Sequence, residues 1–320
     1  MNDGLDWENA GLTWKRHAEQ VVEQNWPSAC LYVVATPIGN LADMSLRAWQ
    51  ALRGCDAVAA EDTRTTRALF DAWGIRTPLL AAHRHNEQQA ADTIVQRLAE
   101  GQRVALVSDA GAPAVSDPGA RIVRCVQAAG YRVMPLPGPS AVIAALMASG
   151  ATSDDAPGFA FAGFPPNKPA ARRKWLEQWL AWPVPVVFFE APHRLGATLD
   201  DLAQVAGGDR VLTLARELTK RFEEISTLPV GAMREWLGAD THRGQGEFVL
   251  VMHAAAPQGP VDDMLSSEHE RLMAALLAEL SVRDAVRIGV QATGLPRDRL
   301  YAWALAHHRR EDAADPEARA

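Results

Sequence analysis

Cysteine is scarce in this chain. The 320 residues hold three, Cys30, Cys55 and Cys125, too widely separated for metal-ligand spacing. They are expected to be thiols in a reducing compartment and not a disulfide framework. No apolar run approaches the roughly 18 residues that a membrane-spanning helix needs. The opening MNDGLDWENAGLTWK also has neither a basic nor an apolar signal region, so a cytoplasmic protein is expected. An excess of positive charge is missing too. With a formal net charge of −7, any contact with nucleic acid has to come from a local basic patch. Neither a GxxxxGKS/T phosphate loop, a GxSxG elbow, an HExxH helix nor a GxGxxG turn after the first strand is present. Dinucleotide binding and phosphoryl transfer lose their usual signatures.

What is present is organised around RVALVSDAGAPAVSDPG, Arg103 to Gly119. Val104 to Val107 form a short apolar run of the kind found in a strand covered on both faces. Turn chemistry follows at once, from Ser108 to Pro113 and again from Ser116 to Gly119. Two further strand-plus-loop units, LYVVATPIGN from Leu31 and RVMPLPGPS from Arg132, repeat the pattern. In an open α/β sheet such loops gather at the carboxyl ends of strands, where ligands sit. Short strands at Leu31–Ala35, Ala57–Ala60, Leu79–Ala82, Val104–Val107 and Arg132 onward alternate with helical segments. That alternation predicts a parallel, doubly wound first domain.

The rhythm changes after the linker ATSDDAPG, Ala151 to Gly158. Strand candidates at Phe159–Phe164, Val184–Glu190, Arg210–Ala215, Glu223–Leu228 and Glu247–His253 have only two strong helices among them, with a short third near Val230–Leu237. Adjacent strands without helical crossovers imply antiparallel pairing and a mixed sheet. A second linker, Ala254 to Pro260, leads into helical segments. The expected organisation is an N-terminal extension over 1–28, part helix and part coil, and α/β domains over 29–153 and 154–256. A small helical domain over 262–310 and a disordered tail over 311–320 complete it.

Polar residues cluster at the ends of the first-domain strands: Glu61, Asp62, Arg64, His83, His85, Asn86, Glu87, Ser108 and Asp109. Each has a structural alternative. Asp62 fits a helix cap, Glu87 a helix-start carboxylate, and Arg64 a surface charge or a phosphate grip. His83 and His85 lack a third ligand, and no metal site is expected. The second domain repeats the pattern in FEAPHR, Phe189 to Arg194, and RELTK, Arg216 to Lys220. A structural ion pair and a substrate contact remain equally open for Arg216 and Glu217.

Eight motifs in order carry a resemblance: TPIGNL (Thr36–Leu41), EDTR (Glu61–Arg64), HNE (His85–Glu87), SDAGAPAVSDPG (Ser108–Gly119), PLPGPSA (Pro135–Ala141), FEAPHR, RELTK and GEFVLV (Gly246–Val251). Together they are similar to the ribosomal RNA small subunit methyltransferase I family of the tetrapyrrole methylase superfamily. SVRDAVRIGVQATGLPRDRLYAWAL, near the C-terminus, resembles that family's small helix-turn-helix-like domain. The resemblance implies a homodimer that methylates the 2'-oxygen of a cytidine ribose in the decoding region of 16S rRNA, using S-adenosylmethionine held between the two α/β domains. It places Pro37, Gly39, Ser108, Asp109, Ala110, Gly111, Ser116, Asp117, Pro137, Gly138, Ser140, Glu190, Pro192 and Glu217 at the cofactor. Arg64, Arg194, Arg216 and Lys220 are then expected to grip phosphates, and Glu61, Asp62, His85 and Glu87 to position or deprotonate the hydroxyl. Departures from the family pattern are Arg84 at a usually acidic position, Ala112 for a hydroxyl residue and Ala191 for a serine. Two competing readings stay open: a C-methyltransferase acting on a precorrin-type tetrapyrrole, and a non-catalytic ribosome-binding factor.

Overall fold

A computed structural model of the chain describes residues 7–255, 265 and 267–314. It divides into two compact units, residues 1–254 and 255–320. The first unit opens with helix α1 (Trp7–Val22) and continues into five strands, β1 (Cys30–Val34), β2 (Ala57–Ala60), β3 (Leu79–Ala81), β4 (Arg103–Val107) and β5 (Arg132–Leu136). These form one sheet in the order β3-β2-β4-β1-β5, every pairing parallel. Parallel neighbours need crossovers, supplied here by α2 (Leu46–Gly54), α3 (Thr63–Trp73), α4 (Glu87–Ala99) and α5 (Ala120–Ala128). Ser45 starts α2 by accepting the Ala48 N–H at 3.0 Å, and Gly74 closes α3 in the left-handed region. Ala48, Leu52 and Phe70 of α2 and α3 pack on one face of the sheet, and Ile94, Leu98, Ile122 and Val126 of α4 and α5 on the other.

The strand order decides where a ligand can enter. The connection from β1 crosses β4 on its way to β2, and that from β4 crosses β1 on its way to β5, so the chain leaves this adjacent pair in opposite directions. A crevice opens between their carboxyl ends. The two loops are clasped there, with Thr36 and Gly111 exchanging backbone hydrogen bonds of 2.9 and 3.0 Å.

Helix α6 (Ala141–Ser149) follows β5 and leaves the first sheet for the second. Its Val142 and Ala145 pack against Val187, Ala215, Val249 and Val251. The second sheet is built from β6 (Ala160–Phe161), β7 (Val186–Glu190), β8 (Val211–Arg216), β9 (Glu224–Pro229) and β10 (Phe248–Met252), in the order β6-β7-β10-β8-β9. Only β6 and β7 are parallel, so the sheet is mixed. Helices α7 (Pro169–Leu180), α8 (Pro192–Ala206) and α9 (Val230–Gly238) cover its other face through Leu176, Leu195, Leu199 and Met233. Under α7 and α8, Asp201 accepts from Arg172 at 2.6 Å and Arg173 at 2.9 Å.

Three elements differ from the sequence expectation. Strand β6 pairs over two residues instead of reaching Phe164, because Gly163 turns the backbone into the left-handed region at φ 72°. Helix α8 starts at Pro192 and not at Leu195, since proline at the first helical position loses nothing there. The last helix runs through residues 311–314, assigned above to a disordered tail; residues 315–320 lie outside the described residues. So does most of the second linker, residues 256–260.

The second unit holds α10 (Ser267–Glu279), α11 (Val282–Thr293) and α12 (Arg297–Ala314) around Leu265, Met273, Val286, Leu300 and Ala304. Ser281 caps α11 by accepting the Asp284 N–H at 3.2 Å, and Gly294 ends it in the left-handed region.

Candidate active site

The crevice after β1 and β4 opens into a cleft of about 340 Å³. The first sheet contributes Ile38, Ala110 to Ala112, Val115 to Asp117, Ser140, Ala141 and Val142. The second contributes Phe164, Phe189 to Pro192, Leu218 and Glu247 to Val249. Small residues keep the β4 loop thin, and two of its non-glycine positions, Ala114 at φ 67° and Ser116 at φ 70°, sit in the left-handed region. Non-glycine residues adopt that conformation at a cost of order 1 kcal/mol or more and where surrounding structure enforces it.

Seven of the residues expected at the cofactor line this cleft: Ala110, Gly111, Ser116, Asp117, Ser140, Glu190 and Pro192. The others stand behind or beside it. In TPIGNL it is Ile38 that faces the cleft, between Pro37 and Gly39. Gly39, at φ +157°, lies under Lys220, whose Cγ is 2.5 Å from where a Cβ would sit. Gly138 lets its loop press on β1, because a Cβ there would meet the Ala35 carbonyl oxygen at 3.1 Å. Pro137 is exposed beside it. Ser108 is buried and donates to the Ala110 carbonyl, while Asp109 is exposed. Glu217 turns away from the cleft to accept from the Glu247 N–H and the Lys220 ammonium, both at 2.9 Å. Burial opposes ionisation of Glu217, but these donors hold its carboxyl below the usual range.

The polar cluster resolves into structural and available groups. Asp62 caps α3, accepting the Arg64 N–H at 2.8 Å and its guanidinium at 2.6 Å, and these bonds draw its carboxyl down to about 2. Glu87 accepts the Gly119 N–H at 2.9 Å and the Arg121 N–H at 3.2 Å, which ties α4 to the start of α5. Asp62 uses both of its oxygens in these bonds, and Glu87 uses Oε1. Glu61 is different. Among the described residues its carboxylate meets the Asp109 N–H alone, at 3.5 Å, and burial followed by the charge of Asp117 raises its pKa. Asp117, inside the cleft, is raised chiefly by burial. His83 and His85 lie in the turn after β3, ring centroids 6.1 Å apart. Among the described residues, no three His, Cys, Asp or Glu side chains come together as metal ligands.

Three of the four expected phosphate grips have protein partners of their own. Arg194, in the first turn of α8, pairs with the buried Glu190 at 3.0 Å and donates to Asn167 Oδ1 and the Pro165 carbonyl. Arg216 is buried and donates to the carbonyls of Gln245 at 2.7 Å and Phe222 at 3.0 Å. Lys220 is held between Glu217 and Glu247 at 2.9 and 2.8 Å. Arg64 alone of the four presents its side chain to solvent, 90% exposed. A charged residue at a strand end reads the same in sequence whether it meets a ligand or a neighbour. Val115, Ala141, Val142, Phe164, Phe189, Glu247, Phe248 and Val249 were not expected at the cleft; apolar residues in strands and helices read as core.

A family model of the tetrapyrrole (corrin/porphyrin) methylases matches residues 30–233, and a model of the RsmI C-terminal HTH domain matches residues 263–308. A curated relative from Pseudomonas aeruginosa, named ribosomal RNA small subunit methyltransferase I, is 46% identical over 86% of this chain and 96% of its own length. One of the same name from Escherichia coli O157:H7 is 44% identical over 86% of this chain and 94% of its own. The chain belongs to this methyltransferase family. Solved structures agree on the fold. Cobalt precorrin-4 methyltransferase superposes with a TM-score of 0.53 at 16% identity, over 70% of this chain and 95% of that one. Diphthine synthase does so at 0.54 and 17%, over 70% and 90%. As a member of the methylase family the chain needs a methyl donor.

Proposed function

We propose that this protein transfers a methyl group from S-adenosylmethionine to small-subunit ribosomal RNA, at the 2'-oxygen of a cytidine ribose in the decoding region of 16S rRNA. The observation that carries the reading is the cleft itself, where loops of two sheets meet between the carboxyl ends of β1 and β4. Its chemistry fits a nucleoside sulfonium. Ile38, Val142, Leu218 and Val249 offer an apolar wall for a flat base, and Asp117 offers negative charge to a cation. When bound, that donor supplies an electrophilic methyl carbon.

The protein's part is alignment, exclusion of water and handling of one proton. Of the four carboxylate and histidine candidates, Asp62 and Glu87 are spent on helix starts, and Glu61 is the carboxylate left beside the cleft loop. In this reading Glu61 accepts the ribose hydroxyl proton as the new oxygen–carbon bond forms. Burial raises its pKa, bringing its basicity closer to that task. Arg64 and Arg67 of α3, with Arg84 exposed in the turn after β3, supply the basic edge that an acidic protein needs to meet RNA. Protomers pair as a homodimer through α6, an apolar helix whose Ile143 and Met147 remain 45% and 81% exposed.

The test is transfer of labelled methyl from S-adenosylmethionine to small subunits taken from a strain lacking such an enzyme, followed by mapping of ribose methylation. A single 2'-O-methylated cytidine is expected; no incorporation would overturn the reading. Glu61→Gln is expected to lower kcat about 10²- to 10⁴-fold. It should also abolish an activity limb that rises with pH above the ordinary glutamate range of about 4.3. A variant as active as wild type would remove Glu61 as the base.

A further inference from the structure

The second-sheet wall of the cleft carries a run of aromatic rings. Three phenyl rings run outward from β6 as a ladder: Phe161 meets Phe189 edge to face at 5.0 Å, and Phe189 meets Phe164 edge to face at 5.4 Å. The first two are partly buried against the sheet. Phe164, at the rim, is 52% exposed. A phenyl ring left in solvent at a cleft mouth gains little for folding.

Its backbone is nonetheless held from both sides. The Phe189 N–H donates to the Gly163 carbonyl at 2.8 Å, extending the β6–β7 pairing by one bond just before the ring. After it, Pro165 and Pro166 restrict the backbone. Arg194 donates to the Pro165 carbonyl and to Asn167 Oδ1, and Arg172 donates to the Asn167 carbonyl at 3.4 Å. Arg194 is itself anchored on Glu190, which lines the cleft. Two largely buried arginines and two prolines thus fix the segment that presents one exposed aromatic face.

We infer that Phe164 is the stacking platform for the base of the target nucleotide, and so a positioning residue for the reaction. This rests on the RNA ribose-methylation reading above. A ribose that turns its 2'-oxygen into the cleft keeps its base, bonded to the adjacent sugar carbon, at the mouth. The ring at the mouth is Phe164, while the enclosed apolar wall of Ile38, Val142 and Val249 lies within. Single-stranded nucleotides splayed from a structured RNA are held in this way, by the π-face of an aromatic side chain.

The test compares Phe164→Ala, Phe164→Leu and Phe164→Tyr in steady-state methylation of small subunits, with S-adenosylmethionine affinity measured by calorimetry. Alanine is expected to lower kcat/KM for the subunit about 10- to 100-fold, chiefly through KM, and leucine to remain impaired. Tyrosine, which restores a ring, is expected to recover most of the loss. Cofactor affinity should stay within about twofold in all three. An unimpaired alanine variant, a leucine variant equal to wild type, or a cofactor affinity that falls in step with kcat/KM would each overturn the assignment, the last by giving the ring to the donor's own base. Wild-type protein inactive on subunits would remove the RNA reading and this inference together. An active wild type with an unimpaired alanine variant would remove only the latter.

Discussion

Glu87 separates a positioning role from a chemical one. Its carboxylate accepts the N–H groups of Gly119 and Arg121 across from α4 to the start of α5. Gly119 is buried, so Glu87→Ala leaves that donor without a partner at a cost of about 1–3 kcal/mol. Arg121 is exposed, and water can take its N–H. Loss of negative charge at a helix N-terminus adds about 0.3–1 kcal/mol. Together these give about 1.3–4 kcal/mol for alanine. Glu87→Gln keeps an acceptor oxygen and loses only the charge term of about 0.3–1 kcal/mol. Urea denaturation followed by far-UV circular dichroism reads the difference, and steady-state methylation reads the chemistry. The capping role predicts that glutamine keeps kcat within a few-fold, with any loss appearing in KM for the methyl donor, because Gly119 ends the loop that carries Ser116 and Asp117. A glutamine variant as stable as wild type within about 0.3 kcal/mol, with kcat down about a hundredfold, would refute it and return Glu87 to the proton-transfer step.

Other consequences follow from the same contacts. Asp62 is held at about 2 by Arg64, below the value of about 3.9 in an unfolded chain. Its stabilising effect is therefore complete above the unfolded value and lost as pH falls through the folded one. The stability advantage of wild type over Asp62→Asn should accordingly be constant at neutral pH and shrink below about pH 4, as urea midpoints across that range will show. Asp201→Ala strands Arg172, only 4% exposed, without its partner, and should lose about 3–5 kcal/mol in urea denaturation, Asp201→Asn less.

Much of the fold was legible because hydrophobic periodicity reports burial, and burial decides strand against helix. The Val104–Val107 run became a strand with both faces covered, and the change of rhythm after Gly158 became a mixed sheet. Gly163 cut β6 short by a left-handed turn of the backbone, which an apolar pattern does not register. At the site, small-residue loops gave away the cleft since only such residues let backbone approach closely. The roles of charged residues were not readable. Arg194, Arg216 and Glu87 sit in motifs as promising as those of Glu61, yet their partners come from distant segments, at Asn167, Gln245 and Gly119. Pairing across the tertiary structure leaves no local trace.

The clasp between Thr36 and Gly111 has a bearing on how the protein is made. One half emerges early in synthesis and the other only after three intervening crossovers, so no early fragment holds a partial pocket. The floor of the cleft arrives at once, when β4 docks beside β1. The amide hydrogen of Gly111 then serves as a native reporter: its rate of exchange with deuterium measures how often that floor comes apart.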